Sequence, residues 1–403
     1  MPDELVTRSV EQHEIAAWSE GEWMAWGYRQ GASWRAVVDR CDLVATIDGG
    51  ELVAGSATTP LELTVPGGFL PVAGVASVWV SPARRGKGLL RSLVESRLAD
   101  FAGNGVAATV LVASDPGIYH RFGFGVATYT ARLRVALERG SRVAPGARTG
   151  RLTISDRDAG LEAATSVYDL LRPKVPGMLD RPAAWWEYSY PPSDPDDENP
   201  YLFAVHEASG APDGYAAYSV SEGWTEDGRP DNLLRVHELV AATPGAHTAL
   251  WEFCLGLDLC SRLEAENRPV DEPLDHLVAA PGAIRRWIAD GLHLRILDVP
   301  AALAARRYSA ADALTLDLRD EAGGWAGGRW LLDGGLDGAE CTRTRREADV
   351  ALDVSALASV YLGGTTFEAL RRAGLVEEGR DGAVRRADRL FGWSPAPWLP
   401  WDY

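Results

Sequence analysis

Between residues 43 and 125 the hydrophobic positions switch repeatedly between strand-like and helix-like spacing. Leu43-Val44-Ala45-Thr46-Ile47 and Glu51-Leu52-Val53-Ala54-Gly55 flank Asp48-Gly49-Gly50, whose residues tolerate positive φ, and this predicts a β-hairpin. The alternation in Gly74-Val75-Ala76-Ser77-Val78-Trp79-Val80 predicts a strand. Ser81-Pro82 stops it and introduces a helix from Leu89 to Phe101, with apolar residues at Leu90, Leu93, Val94, Leu98 and Phe101. The apolar run Ala107-Ala108-Thr109-Val110-Leu111-Val112-Ala113 predicts a buried strand. Ser114 or Asp115 then caps a short helix with Pro116 in its first turn, and Phe122-Gly123-Phe124-Gly125 closes the unit.

This unit has an echo. Val78-Trp79-Val80-Ser81-Pro82 parallels Val240-Ala241-Ala242-Thr243-Pro244, and Leu111 to Phe122 parallels Leu277 to Ile288, at offsets of 162 and 166. Two offsets so close together predict an internal duplication of one α/β domain. The second copy has Gly245-Ala246-His247-Thr248 where the first has Ala83-Arg84-Arg85-Gly86-Lys87-Gly88, and Arg285 where the first has Tyr119, so the copy keeps the scaffold without the chemistry. Between the copies, residues 191–200 read as a Pro-rich polar loop. After Asp298-Val299-Pro300 the pattern changes. Leu314-Thr315-Leu316-Asp317-Leu318 and Val350-Ala351-Leu352-Asp353-Val354 predict antiparallel strands, and Phe367 to Leu375 and Val384 to Phe391 predict helices. The expected division is 1–148, 149–297 and 298–403, the last of α+β type.

Composition narrows the partners. The net charge of −17 repels phosphate backbones and anionic lipid headgroups, which argues against nucleic-acid binding and membrane adsorption. No apolar run approaches a membrane span or an export signal. The spacing of Cys41, Cys254, Cys260 and Cys341 fits neither a disulfide framework nor a metal knuckle, and the expectation is a cytoplasmic protein without a metal. Within this acidic chain, Arg84-Arg85-Gly86-Lys87-Gly88 stands between a strand and a helix. Glycines admit backbone N–H groups and the helix N-terminus adds positive potential, so the turn predicts an anion site. Neither GxxxxGK[ST] nor GxGxxG is present.

Val78 to Arg91, followed by Ala113-Ser114-Asp115-Pro116-Gly117-Ile118-Tyr119-His120-Arg121-Phe122-Gly123-Phe124-Gly125, resembles the acetyl-CoA site of the enhanced intracellular survival (Eis) acetyltransferases, and the resemblance covers the whole chain. It implies an α/β (α+β) fold: two tandem GNAT domains, the second without a cofactor site, and a C-terminal sterol-carrier-like domain. It also implies a homohexamer that acetylates amines of cationic small molecules, aminoglycosides among them. Carried over, Val78, Trp79 and Val80 pair their backbone with the pantetheine arm, Gly86, Lys87, Gly88, Leu89, Leu90 and Arg91 hold the pyrophosphate, and Ser114 and Asp115 sit beside the reactive end. Tyr119 matches the general acid and Tyr403 the residue whose carboxylate is the general base. Ala83 departs from the Q/RxxGxG/A signature, which has Gln or Arg there.

The chemistry fits those roles. An amine attacks a thioester as a free base, and the departing thiolate takes a proton or hydrogen bond, which a tyrosine with a reference pKa of about 10 can give. Trp398, Trp401 and Tyr403 predict a docked tail rather than a frayed one, with Asp402 attracting a cation. His120 is expected at the surface. Trp18, Trp23, Trp26, Tyr28 and Trp34, with Glu20 and Glu22, read equally as a cation-binding wall or as helix core. A binding protein whose third domain does the work on a GNAT scaffold is the alternative; the intact turn and Tyr119 weigh against it.

Overall fold

The computed structural model describes residues 5–137, 143, 150–192 and 199–403. The first half runs β1 (Val6–Ser9), α1 (Ile15–Trp26), α2 (Ala32–Val38), β2 (Asp42–Asp48), β3 (Glu51–Val65), β4 (Gly68–Val80), α3 (Leu89–Gly103), β5 (Ala108–Val112), β6 (Gly125–Val126) and β7 (Tyr129–Ala136). The second half runs β8 (Arg151–Ser155), α4 (Arg157–Leu171), α5 (Ala183–Ser189), β9 (Leu202–Ala208), β10 (Ala211–Ser221), β11 (Asn232–Ala241), α6 (Pro244–Leu255), β12 (Cys260–Arg268), β13 (Ile284–Asp290) and β14 (Leu292–Ile296).

The expected hairpin forms as β2 and β3, with Asp48 opposite Glu51 and Gly49 and Gly50 both at positive φ. Helix α3 buries Leu93, Val94, Leu98 and Phe101 as its spacing predicts, together with Leu89, while the expected Leu90 is only half-buried. Asp115 caps the short 3-10 helix Pro116–Ile118, its carboxylate accepting from the Gly117 N–H at 3.1 Å.

The two halves repeat one sheet and exchange one strand. The first sheet is ordered β1-β2-β3-β4-β5-β14-β6 and the second β8-β9-β10-β11-β12-β7-β13. Strand β14 is buried along its whole length between β5 and β6, while β7 buries Ala131, Leu133 and Val135 in the second sheet. The two exchanged segments cross at Thr128, whose carbonyl accepts from Gly291 N and whose Oγ1 accepts from Leu292 N. The division expected at 148 and 149 therefore divides the chain but not the sheets.

The exchange also corrects part of the echo. Val78 to Pro82 and Val240 to Pro244 do match, each ending a strand that feeds a helix. The counterpart of β5, however, is β12, which runs parallel to β11 as β5 does to β4. Residues 277–283 form no strand, and Arg285 lies on β13 rather than at a counterpart of Tyr119. Short apolar runs followed by Pro-Gly recur for reasons of turn chemistry alone, so that pairing was local likeness without equivalent topology.

The third part comprises α7 (Val299–Ala305), β15 (Asp312–Arg319), β16 (Gly328–Gly335), β17 (Gly338–Arg343), β18 (Val350–Asp353), α8 (Val354–Val360), α9 (Phe367–Arg372), β19 (Val376–Glu378) and α10 (Ala383–Phe391), with sheet order β17-β16-β15-β18-β19. The strands expected to be antiparallel, β15 and β18, pair in parallel, each finding its antiparallel partner on the other side in β16 and β19. Alternation reports which face is buried and carries no strand direction. Helix α8 packs on β6 and β14, close enough that a Cβ on Gly125 would strike the Ser355 carbonyl. A fully buried ion pair, Arg295 to Asp320 at 2.7 Å, ties the exchanged strand to this part.

Candidate active site

Strand β4 begins paired in parallel with β5 only over Val72–Gly74. Beyond that, its register against β3 slips between Gly55 and Ala57, and Ser77 takes φ 46°. A bulge bends a strand and turns it from its neighbour, so β4 and β5 diverge into a wedge. Val78 and Val80 line the resulting cleft; Trp79 points the other way, buried edge-on against Trp18 with ring centroids 5.9 Å apart.

The turn after β4 closes one end of this cleft. Gly86 and Gly88 sit at φ 79° and 80°, a left-handed conformation that favours glycine, and a Cβ on either would meet nothing within 4 Å. Gly88 caps α3 without a side chain. Among the described residues, no acceptor takes the backbone N–H groups of 86–91. These are the orphan donors of a helix start. In the second half, Thr243 accepts from Ala246 N at 3.1 Å and closes the start of α6 on itself, while His247 is tied to Glu272 at 2.7 Å.

The cations of the turn divide. Arg84 is paired with Asp48 at 2.8 Å, and Arg85 donates to the Ala25 carbonyl at 3.0 Å. Lys87 and Arg91 are exposed and make no ion pair among the described residues. The cleft, of ≈ 590 Å³, is lined on its other wall by Ile118, Tyr119, Arg121 and Phe122. Leu89 and Leu90 both line it, Leu89 as a buried residue. Arg121 stands inside the segment that carries the resemblance, which assigned it no role.

A second cavity, of ≈ 440 Å³, shares Val78, Ile118 and Tyr119 with the first and extends toward α1, α2 and α5. Ser114, Asp115, Asp402 and Tyr403 line it, so Tyr119 and Tyr403, 284 positions apart in sequence, face one space. Burial, with some help from the Asp115 charge, pushes the Tyr119 hydroxyl up to about 12. It is protonated at any physiological pH, and its ring is held edge-on against Phe124 at 5.8 Å. Asp402 is open to the cavity yet surrounded by protein, and that desolvation holds its carboxyl above the usual range. His120 is exposed, as expected.

The tail reaches this cavity by docking on residues of the second half. Trp398 N donates to the Pro176 carbonyl at 2.8 Å, Trp398 Nε1 to the Asn267 carbonyl at 2.6 Å, and Trp401 Nε1 to the Tyr168 hydroxyl at 2.8 Å. Arg181, buried and paired with Glu238 at 2.9 Å, lies 5.0 Å from the Trp401 ring, and Trp185 packs against both Trp401 and Tyr403. The N-terminal aromatic cluster splits between its two readings. Trp18 and Trp34 are buried, Trp26 and Tyr28 line the cavity mouth, and Trp23 sits under Arg29 with 4.0 Å from guanidinium to ring. Tyr188, from α5, completes the wall; nothing local in its sequence marks it.

A splayed parallel strand pair with an uncapped glycine turn at its mouth is the acyl-CoA-binding arrangement of a GNAT-type N-acetyltransferase. Comparison with protein families agrees: residues 7–127 and 177–296 each match an acetyltransferase (GNAT) domain, and residues 299–400 match a sterol carrier protein domain. The N-acetyltransferase Eis of Mycobacterium tuberculosis is 34% identical over 384 residues, covering 91% of this chain and 90% of that one. An uncharacterised N-acetyltransferase of Streptomyces coelicolor is 37% identical over 87% of this chain and 86% of its own. The crystal structure of Eis1 from Mycobacterium abscessus superposes with a TM-score of 0.87 at 31% identity, covering 99% of this chain and 100% of that one. The chain belongs to the Eis family of N-acetyltransferases, and its acyl donor is acetyl-CoA.

The residues present fit that donor. Backbone N–H groups at 86–91 with Arg91 on one wall of the cleft, and Arg121 on the other, suit a pyrophosphate, and the apolar wedge beyond suits a pantetheine arm; Lys87 belongs to the same turn but is not among the residues lining the cleft. No helix among the described residues is long and apolar enough to cross a membrane.

Proposed function

We propose that the chain acetylates an amine of a cationic small molecule, with aminoglycosides the acceptor class to test first. The observation that carries this reading is the meeting of two cavities at Val78, Ile118 and Tyr119: one with backbone donors, the other with aromatic walls and the Asp402 carboxylate. Bound acetyl-CoA supplies the activated thioester. Gly86 to Arg91 hold its pyrophosphate, the backbone of Val78, Trp79 and Val80 aligns its arm, and Ser114 and Asp115 flank its reactive end.

The remaining steps belong to the protein. Trp26, Tyr28 and Asp402 attract and orient the cation, through ring faces and charge. The Tyr403 α-carboxylate takes a proton from the attacking nitrogen, and Tyr119 gives one to the departing thiolate. The transfer is direct, since none of the four cysteines lines either cavity. A reducing cytoplasm suits those free thiols.

The test is a panel of cationic and neutral amines assayed for CoA thiol release. Release that depends on a cationic amine supports the reading; release with neutral amines alone overturns the acceptor assignment.

A further inference from the structure

Glu22, on α1, is buried to 3% exposure and has no ion-pair partner among the described residues. Its Oε2 accepts from Trp34 Nε1 at 3.0 Å, and its Oε1 accepts a short hydrogen bond from the Ser77 hydroxyl. Both donors line the second cavity. On its other side, Glu22 touches an outer pocket of ≈ 480 Å³, walled by Ser19, Glu20, Arg29 and Arg35 among others. The carboxylate therefore stands between two spaces, connected to the inner one by the hydroxyl of the residue at the β4 bulge.

A buried carboxylate without a cation costs several kcal/mol unless it has a use or full hydrogen bonding, and here two donors serve four lone-pair sites. Burial raises its proton affinity, which makes it a better proton acceptor than an exposed Glu. Two other titratable groups, Cys41 and Tyr188, feel its charge. Burial holds the thiol up at about 11 and keeps the phenol above its ordinary value, so both stay protonated at neutral pH.

We propose that Ser77 and Glu22 form a relay that carries the ammonium proton of the acceptor out of the cavity to the outer pocket. The inference rests on the cationic-acceptor reading above. An acceptor R–NH3+ that becomes R–NH–CO–CH3 loses two protons as the C–N bond forms and the C–S bond breaks. One proton, taken by the Tyr403 carboxylate after attack, balances the proton that Tyr119 gives to sulfur. The other must leave before attack, because an ammonium has no lone pair. The nitrogen passes it to Ser77 Oγ as Ser77 passes its own to Glu22 Oε1, and Glu22 releases it to water in the outer pocket. No oxidant or further reactant is needed.

The test compares two acceptors of the same shape: an alkylamine, cationic at neutral pH, and the corresponding O-alkylhydroxylamine, which is neutral there and needs no first deprotonation. Glu22→Gln keeps the shape and size of the side chain. It should lower the ratio of kcat/KM for the alkylamine to that for the hydroxylamine by about 100-fold, the usual weight of a positioned base. Ser77→Gly, which accepts the positive φ and removes the hydroxyl together with its methylene, should lower the same ratio. Acetyl-CoA affinity, measured in parallel, should hold in both variants and shows that the cofactor cleft is intact. Equal losses for both acceptors, or none, would overturn the relay and leave Glu22 a structural acceptor for Trp34. If the native protein acetylates neither acceptor, the cationic-amine reading falls, and the relay with it.

Discussion

Gly88→Val probes the mouth of the cofactor cleft at one atom. Position 88 has φ 80°, and an added Cβ would meet no protein atom within 4 Å. The folding cost is therefore conformational: about 1–2 kcal/mol for a left-handed residue, somewhat more for a β-branched one, against a total stability of roughly 5–15 kcal/mol. The helix below should survive, because Leu89, Leu93 and Leu98 remain packed. The ligand feels the change more. A branched side chain over the N–H groups of 86–91 displaces the pyrophosphate from at least two charge-assisted hydrogen bonds, each worth about 1.5–3 kcal/mol. Acetyl-CoA affinity should fall by roughly 100- to 10,000-fold. Titration calorimetry with acetyl-CoA, beside a thermal melt, reads both quantities. Thr243→Ala is the matched control on the second half: it removes the cap of α6, should cost about 1 kcal/mol of stability, and should leave acetyl-CoA binding unchanged. A folded Gly88→Val protein that binds acetyl-CoA as tightly as the native one would refute the assignment of this turn.

Tyr119→Phe should lower kcat by about 100-fold with acetyl-CoA affinity nearly intact, and an unaltered kcat would reduce the tyrosine to packing. Because burial raises its hydroxyl to about 12, the native pH–rate profile should show no loss from Tyr119 ionisation through mildly alkaline pH; loss begins only as pH nears that value. Extending the polypeptide by one residue beyond Tyr403 moves the carboxylate by about 3.3–3.6 Å and should silence acetyl transfer, while Tyr403→Phe keeps the carboxylate and most activity; equal rates for the extended and native proteins would remove Tyr403 from the mechanism. Arg181→Met strands the buried Glu238 with only the Tyr190 and Tyr215 hydroxyls as donors and should cost about 3–5 kcal/mol in a denaturation experiment, loosening the tail through Trp401.

Local chemistry set much of this protein in sequence. The hairpin at Asp48-Gly49-Gly50, the buried face of α3, the Asp115 cap and the glycine turn at 86–88 each depend on residues within a few positions, where steric and hydrogen-bond preferences act directly. The resemblance carried by Val78 to Arg91 and by Ala113 to Gly125 reached the family for the same reason: the glycine turn and the wall facing it are short, contiguous pieces of backbone. Tertiary structure decided the rest. The exchange of β7 and β14 leaves every local pattern unchanged, since a strand alternates alike in either sheet, and only the crossing at Thr128 records it. The parallel pairing of β15 with β18 is equally silent, because direction is a property of the connection. The second cavity gathers Ser77, Tyr119, Tyr188 and Asp402 from segments far apart, and Glu22 becomes unusual only once burial removes its water. Desolvation and proximity are properties of the packed molecule, so a sequence shows which groups could do chemistry, and the fold selects the ones that meet.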